Sequence, residues 1–345
     1  MGEEIVLVGS IISKKTAYIY LRGEGVNGEV IKLLSPRIRC ILQKGKVDYD
    51  SLIELRLRVN EPVIVAFLWG EQMLHSDCGF TTDVNNTYRV EERDIRATID
   101  MVSNYSLYAY EEELKNGFIT VKGGHRVGLA GQVVLEQGKV KSVKNISFIN
   151  IRVSHEIKGC SREVLPYIIS EERPIHTLIV SPPGCGKTTL LRDIVRCLSD
   201  GNPFCKGMNV GLVDERSEIG ACYMGVPQND LGIRCDVLDG CPKAEGMIML
   251  LRSMNPRVIA VDEIGTREDI DAIEYIINSG CSILATVHGG SIDDIRNKPQ
   301  LRRLIENRMF DRYIVLSRKQ GIGTVENIFD ERGNDLYKAS LSIAN

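Results

Sequence analysis

Residues 178–189, with the sequence LIVSPPGCGKTT, constrain the fold of this chain more than any other segment. A short apolar run leads into a turn rich in proline and glycine, and a helical pattern follows. This order of strand, glycine-rich loop and helix, with lysine and threonine closing the loop, is typical of the phosphate-binding P-loop. Small residues let consecutive backbone N–H groups turn toward phosphate oxygens, and the dipole of the following helix favours the same anion. The segment therefore predicts a site for nucleotide phosphates in an α/β fold.

The motif assigns a role to the residues that close the loop. Lys187 is expected to reach the β- and γ-phosphates, and the Thr188 hydroxyl is expected to bind Mg²⁺. The motif usually begins with glycine or alanine, and we expect the small Ser181 to be tolerated there. A glycine-rich turn with an incidental Lys–Thr pair is the alternative, which the flanking strand and helix disfavour. The predicted nucleotide-binding residues are Ser181, Pro182, Pro183, Gly184, Cys185, Gly186, Lys187, Thr188 and Thr189.

Length and composition indicate a globular protein of about two domains. The 345 residues are 43% hydrophobic and 26% charged, so the chain can bury a sizeable core. The net charge of −3 argues against a generally polybasic surface for nucleic acid or membrane, but it leaves room for local basic patches. The ten cysteines include no C-x-x-C pair, so we expect reduced thiols that pack as small apolar residues.

No segment of the sequence indicates direct insertion into a membrane. Residues 1–4 begin neither a basic region nor an apolar signal core. The longest strongly apolar run, residues 63–69, is far too short to cross a bilayer. We therefore expect any membrane association to come through partner proteins.

The first part of the chain carries no nucleotide motif, and we predict a small α+β domain over residues 1–150. Alternation in residues 52–59 predicts a half-buried strand with four apolar side chains on one face, Ile53, Leu55, Leu57 and Val59. A turn and a second strand follow, then a helical stretch at 91–114. Two further short strands are expected within residues 118–134.

The second part, residues 151–345, alternates strands and helices. Continuous apolar runs predict strands at 177–181, 209–214, 258–262, 282–286 and 313–317. Helical stripes lie between them, and one helix has a capping pair, Thr266 with Asp269, and a stop at Gly280. This alternation predicts a doubly wound, mostly parallel sheet, closed by a hairpin of residues 313–318 with 324–329.

Two carboxylates follow one of the predicted strands. Residues 258–261 are apolar, and Asp262 and Glu263 come directly after them. A parallel sheet presents its strand ends at the edge where ligands bind, so we expect both acids near the P-loop. Asp262 would then contribute to the Mg²⁺ site, and Glu263 would polarise the attacking water as a general base. A strand end with two solvated acids is the alternative.

Two other strand ends carry polar candidates. Glu215 and Glu218 follow the strand at 209–214, where either could position water or metal, although acids are common at such junctions. His288 follows the strand at 282–286 and shares a face with Thr286 if that strand continues. We expect His288 to donate to the γ-phosphate, and an ordinary surface or core histidine is the alternative.

Arginines are sought because phosphoryl transfer spreads negative charge over the transition state. The candidates are Arg152, Arg234 and Arg252, each of which could act on its own site or on that of a neighbouring subunit. Each of them, taken alone, is better explained as a partner in an ordinary salt bridge.

Six segments together resemble one known family: the P-loop, VDERSEIG (213–220), residues 234–265, ATVHGG (285–290), LIELRLRVNEPV (52–63) and GGHRVGLAG (123–131). It is the stage III sporulation protein AA family of endospore-forming bacteria, whose members are predicted ATPases. The family is in turn similar to secretion and type IV pilus motor ATPases, which are RecA-like hexamers with an N-terminal domain. Residues 1–25 do not resemble these families and are expected to be a variable extension.

The resemblance implies a RecA-like P-loop core preceded by a smaller α+β domain. It places Glu215 and Glu218 in the acidic box of the motor ATPases and His288 in their histidine box. Arg252 corresponds to an arginine in the helix before the acidic strand. The motors typically have Gly-Glu where this chain has Asp262 and Glu263, which favours direct contact of Asp262 with the metal.

The function implied by the resemblance is a Mg²⁺-dependent ATPase that forms a homo-oligomeric ring, as a hexamer, with ATP between subunits. It would power a trans-envelope complex between mother cell and forespore, acting from the mother-cell cytoplasm and docking on membrane proteins. A nucleic-acid-directed RecA-like ATPase is one alternative, although the sequence shows no basic stretch interleaved with aromatic residues. A slow nucleotide switch that serves as an assembly scaffold is another.

Overall fold

The computed structural model describes residues 29–115 and 117–338, which form two compact units. The unit that carries the P-loop, unit 1, consists of residues 157–220 and 229–338, and unit 2 consists of residues 29–156 and 221–228. The predicted variable extension at residues 1–25 lies outside the described residues. Segment 221–228 interrupts unit 1 in the sequence but belongs to unit 2, which no pattern in the sequence indicated.

Unit 2 is built on a seven-stranded antiparallel sheet of order β4-β3-β2-β1-β7-β6-β5. Its strands are β1 Leu52–Arg58, β2 Ile64–Phe67, β3 Gly70–Leu74, β4 Phe80–Thr81, β5 Phe118–Val121, β6 His125–Glu136 and β7 Lys139–Arg152. Its helices are α1 Glu29–Lys32, α2 Pro36–Lys44, α3 Glu92–Val102 and α4 Glu111–Lys115, with 3₁₀ turns at Val84–Asn86 and Leu107–Tyr110.

The buried face of β1 differs from the prediction at its first position. Leu55 and Leu57 are buried as expected, but Ile53 is 37% exposed and Leu52 is buried instead. The pairing of β1 with β2 shifts register between Leu52 and Glu54. A bulge of this kind adds one residue to the strand, so the side chains before the bulge lie on the opposite face from the one that strict alternation predicts.

The segment 221–228 is attached to unit 2 by side-chain hydrogen bonds. The Gly123 backbone N–H donates to Gln228 Oε1 at 2.9 Å. The Asn104 side-chain amide donates to the Tyr223 hydroxyl at 3.1 Å. Both contacts join residues more than one hundred positions apart, so this attachment is a product of tertiary structure.

Unit 1 is a seven-stranded sheet of order β14-β13-β15-β16-β10-β17-β18, in which neighbouring strands are parallel except β18, which is antiparallel to β17. These strands are β10 Thr177–Ser181, β13 Val210–Asp214, β14 Cys235–Asp239, β15 Val258–Val261, β16 Ser282–His288, β17 Arg312–Ser317 and β18 Thr324–Asp330. Two small ribbons pair β8 Ile169–Ser170 with β9 Arg173–Pro174 and β11 Gly201–Asn202 with β12 Cys205–Lys206.

Helices cover both faces of this sheet, which explains the continuous apolar runs of its central strands. They are α5 Leu165–Ile168, α6 Lys187–Asp200, α7 Lys243–Ser253, α8 Arg267–Asn278, α9 Ile292–Arg296 and α10 Arg302–Glu306. Along β10, Leu178 and Val180 belong to one hydrophobic cluster and Ile179 to the other. The sheet therefore has a buried core on each side.

The predicted strands and hairpin of this unit are confirmed, and so is the predicted capping pair. Thr266 Oγ1 accepts from the Asp269 N–H at 3.1 Å, and the Asp269 carboxylate accepts from the Thr266 N–H at 3.0 Å. Gly280, with φ of +82°, follows the end of α8 as expected. The edge strand β14 and the two small ribbons were not predicted. The side chains of β14 are half-buried or exposed and include two aspartates among its five residues, so it lacks the apolar run of the central strands.

In the described residues, no helix combines the length and the apolar character needed to cross a bilayer. The ten cysteines are free thiols, and five of them are buried, which agrees with their predicted use as small apolar side chains.

Candidate functional site

The P-loop connects the end of β10 to the start of α6. Gly186, with φ of +88°, is the N-cap of α6, and a Cβ at this position would lie 3.3 Å from the Gly323 Cα atom. The backbone N–H groups of Gly184, Cys185 and Gly186 donate to no backbone carbonyl within residues 29–115 and 117–338. Unpaired donors in front of a helix of 14 residues form a natural site for an anion.

Ser181, the departure from the usual motif, fits its position. It is fully buried at the end of β10, and its hydroxyl donates to the Pro182 carbonyl at 2.8 Å. Its side chain therefore satisfies its own polar group and leaves the course of the loop intact.

Lys187 meets one of the two strand-end carboxylates directly. Lys187 Nζ lies 2.6 Å from Glu263 Oε1, and both side chains are nearly buried, at 7% and 13% exposure. Glu263 has φ of +58°, a conformation that costs free energy for a residue with a side chain. Its N–H donates to Thr286 Oγ1 at 2.9 Å, which holds the backbone in this conformation.

Asp262 meets the other P-loop residue with a predicted role. Thr188 Oγ1 donates to Asp262 Oδ2 at 2.7 Å, and the Thr286 hydroxyl donates to Asp262 Oδ1. Within the described residues no cluster of three or more His, Cys, Asp or Glu side chains could hold a metal alone. A hydroxyl and a carboxylate side by side fit Mg²⁺, which commonly takes one or two protein oxygens and completes its shell with phosphate oxygens and water.

Two further side chains converge on Glu263. His288 Nε2 lies 2.8 Å from Oε1, and Arg216 Nη1 lies 2.6 Å from Oε2. The strand β16 continues to His288, so this histidine and Thr286 share a face, as the sequence predicted. The buried Nδ1 atom of His288 has no hydrogen-bond partner in the described structure.

The charges around Glu263 control its protonation. Burial alone would raise the pKa of Glu263, but the hydrogen bond from Lys187 and the charges of Lys187, His288 and Arg216 together lower this pKa below its ordinary value. The side chain is therefore an anion at neutral pH, as a general base must be.

Glu215 and Glu218, the other two acids predicted near this edge of the sheet, make different contacts. Glu215 pairs with Lys243 at the start of α7. Glu218 has its backbone fixed in a turn, because its N–H donates to Asp214 Oδ1 at 2.9 Å and its carbonyl accepts from Arg192 at 2.6 Å. The structure brings neither of these two carboxylates onto Lys187 or Thr188 in any contact comparable to those of Asp262 and Glu263.

The three candidate arginines lie away from this cluster or in the other unit. Arg234 donates from its backbone and side chain to Ser199, which is roughly 18 Å along α6 from Lys187. Arg252 is in the last turn of α7, the end opposite Lys243. Arg152 belongs to β7 of unit 2, where it lies opposite Glu54 and Arg126.

Three contributors to the site were missed or undervalued. Arg216 lies between Glu215 and Glu218 in the sequence, and spacing alone gives no reason to assign it to the site. Thr286 was noticed only as a neighbour of His288. Arg318, just after β17, donates to the Gly184 carbonyl at 2.7 and 3.1 Å, and no motif marks it.

Two solved structures can be compared with this chain. The crystal structure of the pilus retraction motor PilT with bound ADP aligns with a TM-score of 0.50 and 15% identity, covering 76% of this chain and 74% of that one. The ATPase DotB from Legionella pneumophila aligns with a TM-score of 0.48 and 17% identity over 76% of this chain and 72% of its own. The predicted similarity to pilus motor ATPases is confirmed at the level of the fold.

The sequence itself matches the family model described as sporulation stage III, protein AA, over residues 25–336. It is also 45% identical over 287 residues to stage III sporulation protein AA of Bacillus subtilis (strain 168), covering 83% of this chain and 89% of that protein. The match to the family model spans both units and includes the P-loop, the strand-end acids and His288. The chain therefore belongs to the stage III sporulation protein AA family.

Proposed function

We propose that this protein is a Mg²⁺-dependent ATPase that hydrolyses ATP to ADP and phosphate. The contact that carries the proposal is the pairing of the P-loop residues Lys187 and Thr188 with the strand-end acids Glu263 and Asp262. A lysine, a hydroxyl, a metal-binding carboxylate and a second carboxylate are the parts that phosphoryl transfer to water requires.

Each residue has a distinct part in the proposed reaction. Lys187 and the N–H groups of the loop bind the β- and γ-phosphates. Thr188 and Asp262 would hold Mg²⁺, which would supply positive charge against the phosphates. Glu263 orients and deprotonates the attacking water, and His288 fixes the Glu263 carboxylate at 2.8 Å.

We further propose that the ATPase works as a hexameric ring that moves a trans-envelope complex during endospore formation. Membership of the family and the fold shared with the pilus motor support this proposal. In this view ATP lies between subunits, and the ring acts from the mother-cell cytoplasm on membrane-protein partners.

The enzymatic proposal is tested by measuring ATP hydrolysis in Lys187→Ala and Glu263→Gln. We expect the first variant to lose nucleotide binding and the second to retain binding while turnover falls by at least about a hundredfold. Glu268→Gln is the matched control, because Glu268 is an exposed acid at the start of α8. Turnover near that of the wild type in both site variants would refute the assignment.

One observation favours the nucleic-acid alternative. The face of the unit 2 sheet opposite its core holds a cavity of about 350 Å³ lined by Arg56, Arg58, Phe148 and Asn150, among others. Phe148 is 48% exposed, and an aromatic ring beside arginines can stack a base while the guanidinium groups bind phosphate.

The alternative predicts that a single-stranded oligonucleotide binds and stimulates hydrolysis. Binding should weaken steeply as salt is raised, and Phe148→Ala should reduce it. Absence of binding at low salt would remove this alternative without affecting the ATPase proposal.

A further inference from the structure

We propose that Arg216 binds the terminal phosphate of the nucleotide, as an arginine supplied in cis, and that Glu263 pairs with it until that phosphate arrives. The inference rests on the proposed ATPase function. It adds a binding residue at a position outside the three arginines that the sequence suggested.

The first observation is that two cations share one carboxylate. Lys187 Nζ lies 2.6 Å from Oε1 of Glu263, and Arg216 Nη1 lies 2.6 Å from its Oε2. The P-loop lysine has a phosphate oxygen as its usual partner. Because Lys187 and Arg216 contact the same carboxylate, a phosphate bound by Lys187 would lie within reach of Arg216 as well.

The second observation is that Arg216 combines a fixed backbone with a largely exposed side chain. Asp214, which is buried at the end of β13, accepts the N–H groups of Glu218, Ile219 and Gly220 at 2.9, 2.9 and 2.8 Å. These bonds fix the loop that carries Arg216. The Arg216 side chain itself is 64% exposed, so it can turn from Glu263 to a phosphate without a change in the backbone.

The third observation concerns the base. Lys187, Arg216 and His288 all lie within 2.8 Å of the Glu263 carboxylate oxygens. They leave little of the carboxylate, which has about four lone-pair sites, open to water. Transfer of Lys187 and Arg216 to phosphate oxygens would free one edge of the carboxylate. Arg216 would thus link recognition of the γ-phosphate to release of the base.

Arginine forms strong, charge-assisted hydrogen bonds with phosphate, and a terminal phosphate is present in ATP and absent from ADP. The test is therefore equilibrium binding of ADP and of a non-hydrolysable ATP analogue, each with Mg²⁺, to the full chain. We expect Arg216→Gln to weaken binding of the analogue by about tenfold or more and to leave ADP binding within about twofold of wild type.

Arg216→Lys should restore part of the affinity, since it keeps the charge. Arg267→Gln is the matched control, because Arg267 is an 83% exposed arginine on α8 and should change neither affinity. Thermal unfolding of Arg216→Gln should match that of the wild type, as expected for an exposed side chain.

Three results would overturn the inference: equal weakening of both ligands, no change in either, or faster turnover with unchanged binding. The last would mean that Arg216 only restrains Glu263. If the wild type binds both ligands and Lys187→Ala binds neither, such a result removes the role of Arg216 alone. If the wild type binds neither ligand, the ATPase proposal fails as well.

Discussion

Thr286 is the residue that joins the two strand-end acids. Its buried hydroxyl accepts the Glu263 N–H and donates to the Asp262 carboxylate, so one side chain fixes both acids. Thr286→Val keeps the shape but leaves a buried N–H unpaired, which costs about 1–3 kcal/mol. We expect kcat to fall by about tenfold or more, because small displacements of reacting groups are costly.

Steady-state hydrolysis and denaturant unfolding check this prediction, and Thr286→Ser is the control that should recover most of both. A valine variant with unchanged kcat would show that the hydroxyl does not position the acids.

Asp214 stabilises a backbone turn and has no part in the proposed reaction. Burial, the largest influence, raises the pKa of Asp214, and three backbone N–H groups oppose that effect by stabilising the anion. Asp214→Asn replaces one acceptor oxygen with a donor that faces those N–H groups. We expect a loss of about 1–3 kcal/mol in the free energy of unfolding and faster hydrogen exchange at residues 218–220.

Asp236→Asn on the edge strand β14 is the control for this prediction and should leave both quantities near wild type. If exchange at residues 218–220 does not change in Asp214→Asn, the carboxylate is not what holds the turn.

At the scale of elements, a buried acid attaches the segment before α5 to α6. Ser161 donates from its N–H and its hydroxyl to Asp193 Oδ2 at 2.8 and 2.6 Å, and Arg196 donates to Oδ1 at 2.6 Å. Burial alone would raise the pKa of Asp193, but these hydrogen bonds outweigh it and lower the pKa below 3.8.

A lowered pKa in the folded state has a defined consequence for stability. The contribution of Asp193 is fully present above the ordinary aspartate pKa of about 4 and is lost as pH falls through the lower folded value. The free energy of unfolding of the wild type should therefore drop as pH falls below about 5, and that of Asp193→Asn should drop less. Denaturant titrations at each pH measure both, and parallel curves would contradict the prediction.

Some elements of this fold were predictable from the sequence alone, and others were not. The central strands of unit 1 and the capped helix α8 were predictable. Burial on both faces produces continuous apolar runs, and a capping box has a characteristic residue pattern. The edge strand β14, the bulge at Ile53 and the attachment of 221–228 to unit 2 depend on contacts between distant residues. Arg216 was missed for the same reason, since the turn around Asp214 sets the position of its backbone next to Glu263.

At the scale of the whole molecule, the proposed ring makes assembly depend on the nucleotide. Glu263→Gln should bind ATP without hydrolysing it, so its bound state should persist. If ATP lies between subunits, this variant should form the ring most completely when ATP and Mg²⁺ are present, because a ligand stabilises the state that binds it. Lys187→Ala, which should not bind ATP, should show the same mass with and without nucleotide.

Sedimentation velocity or native mass spectrometry of the wild type, Glu263→Gln and Lys187→Ala measures this directly. We expect a hexamer in Glu263→Gln with ATP and smaller species without it. A monomer under every nucleotide condition would contradict the motor proposal, while hydrolysis by that monomer would still support the catalytic site. Assembly and chemistry are thus separable, because Lys187, Thr188, Asp262 and Glu263 already meet within one chain.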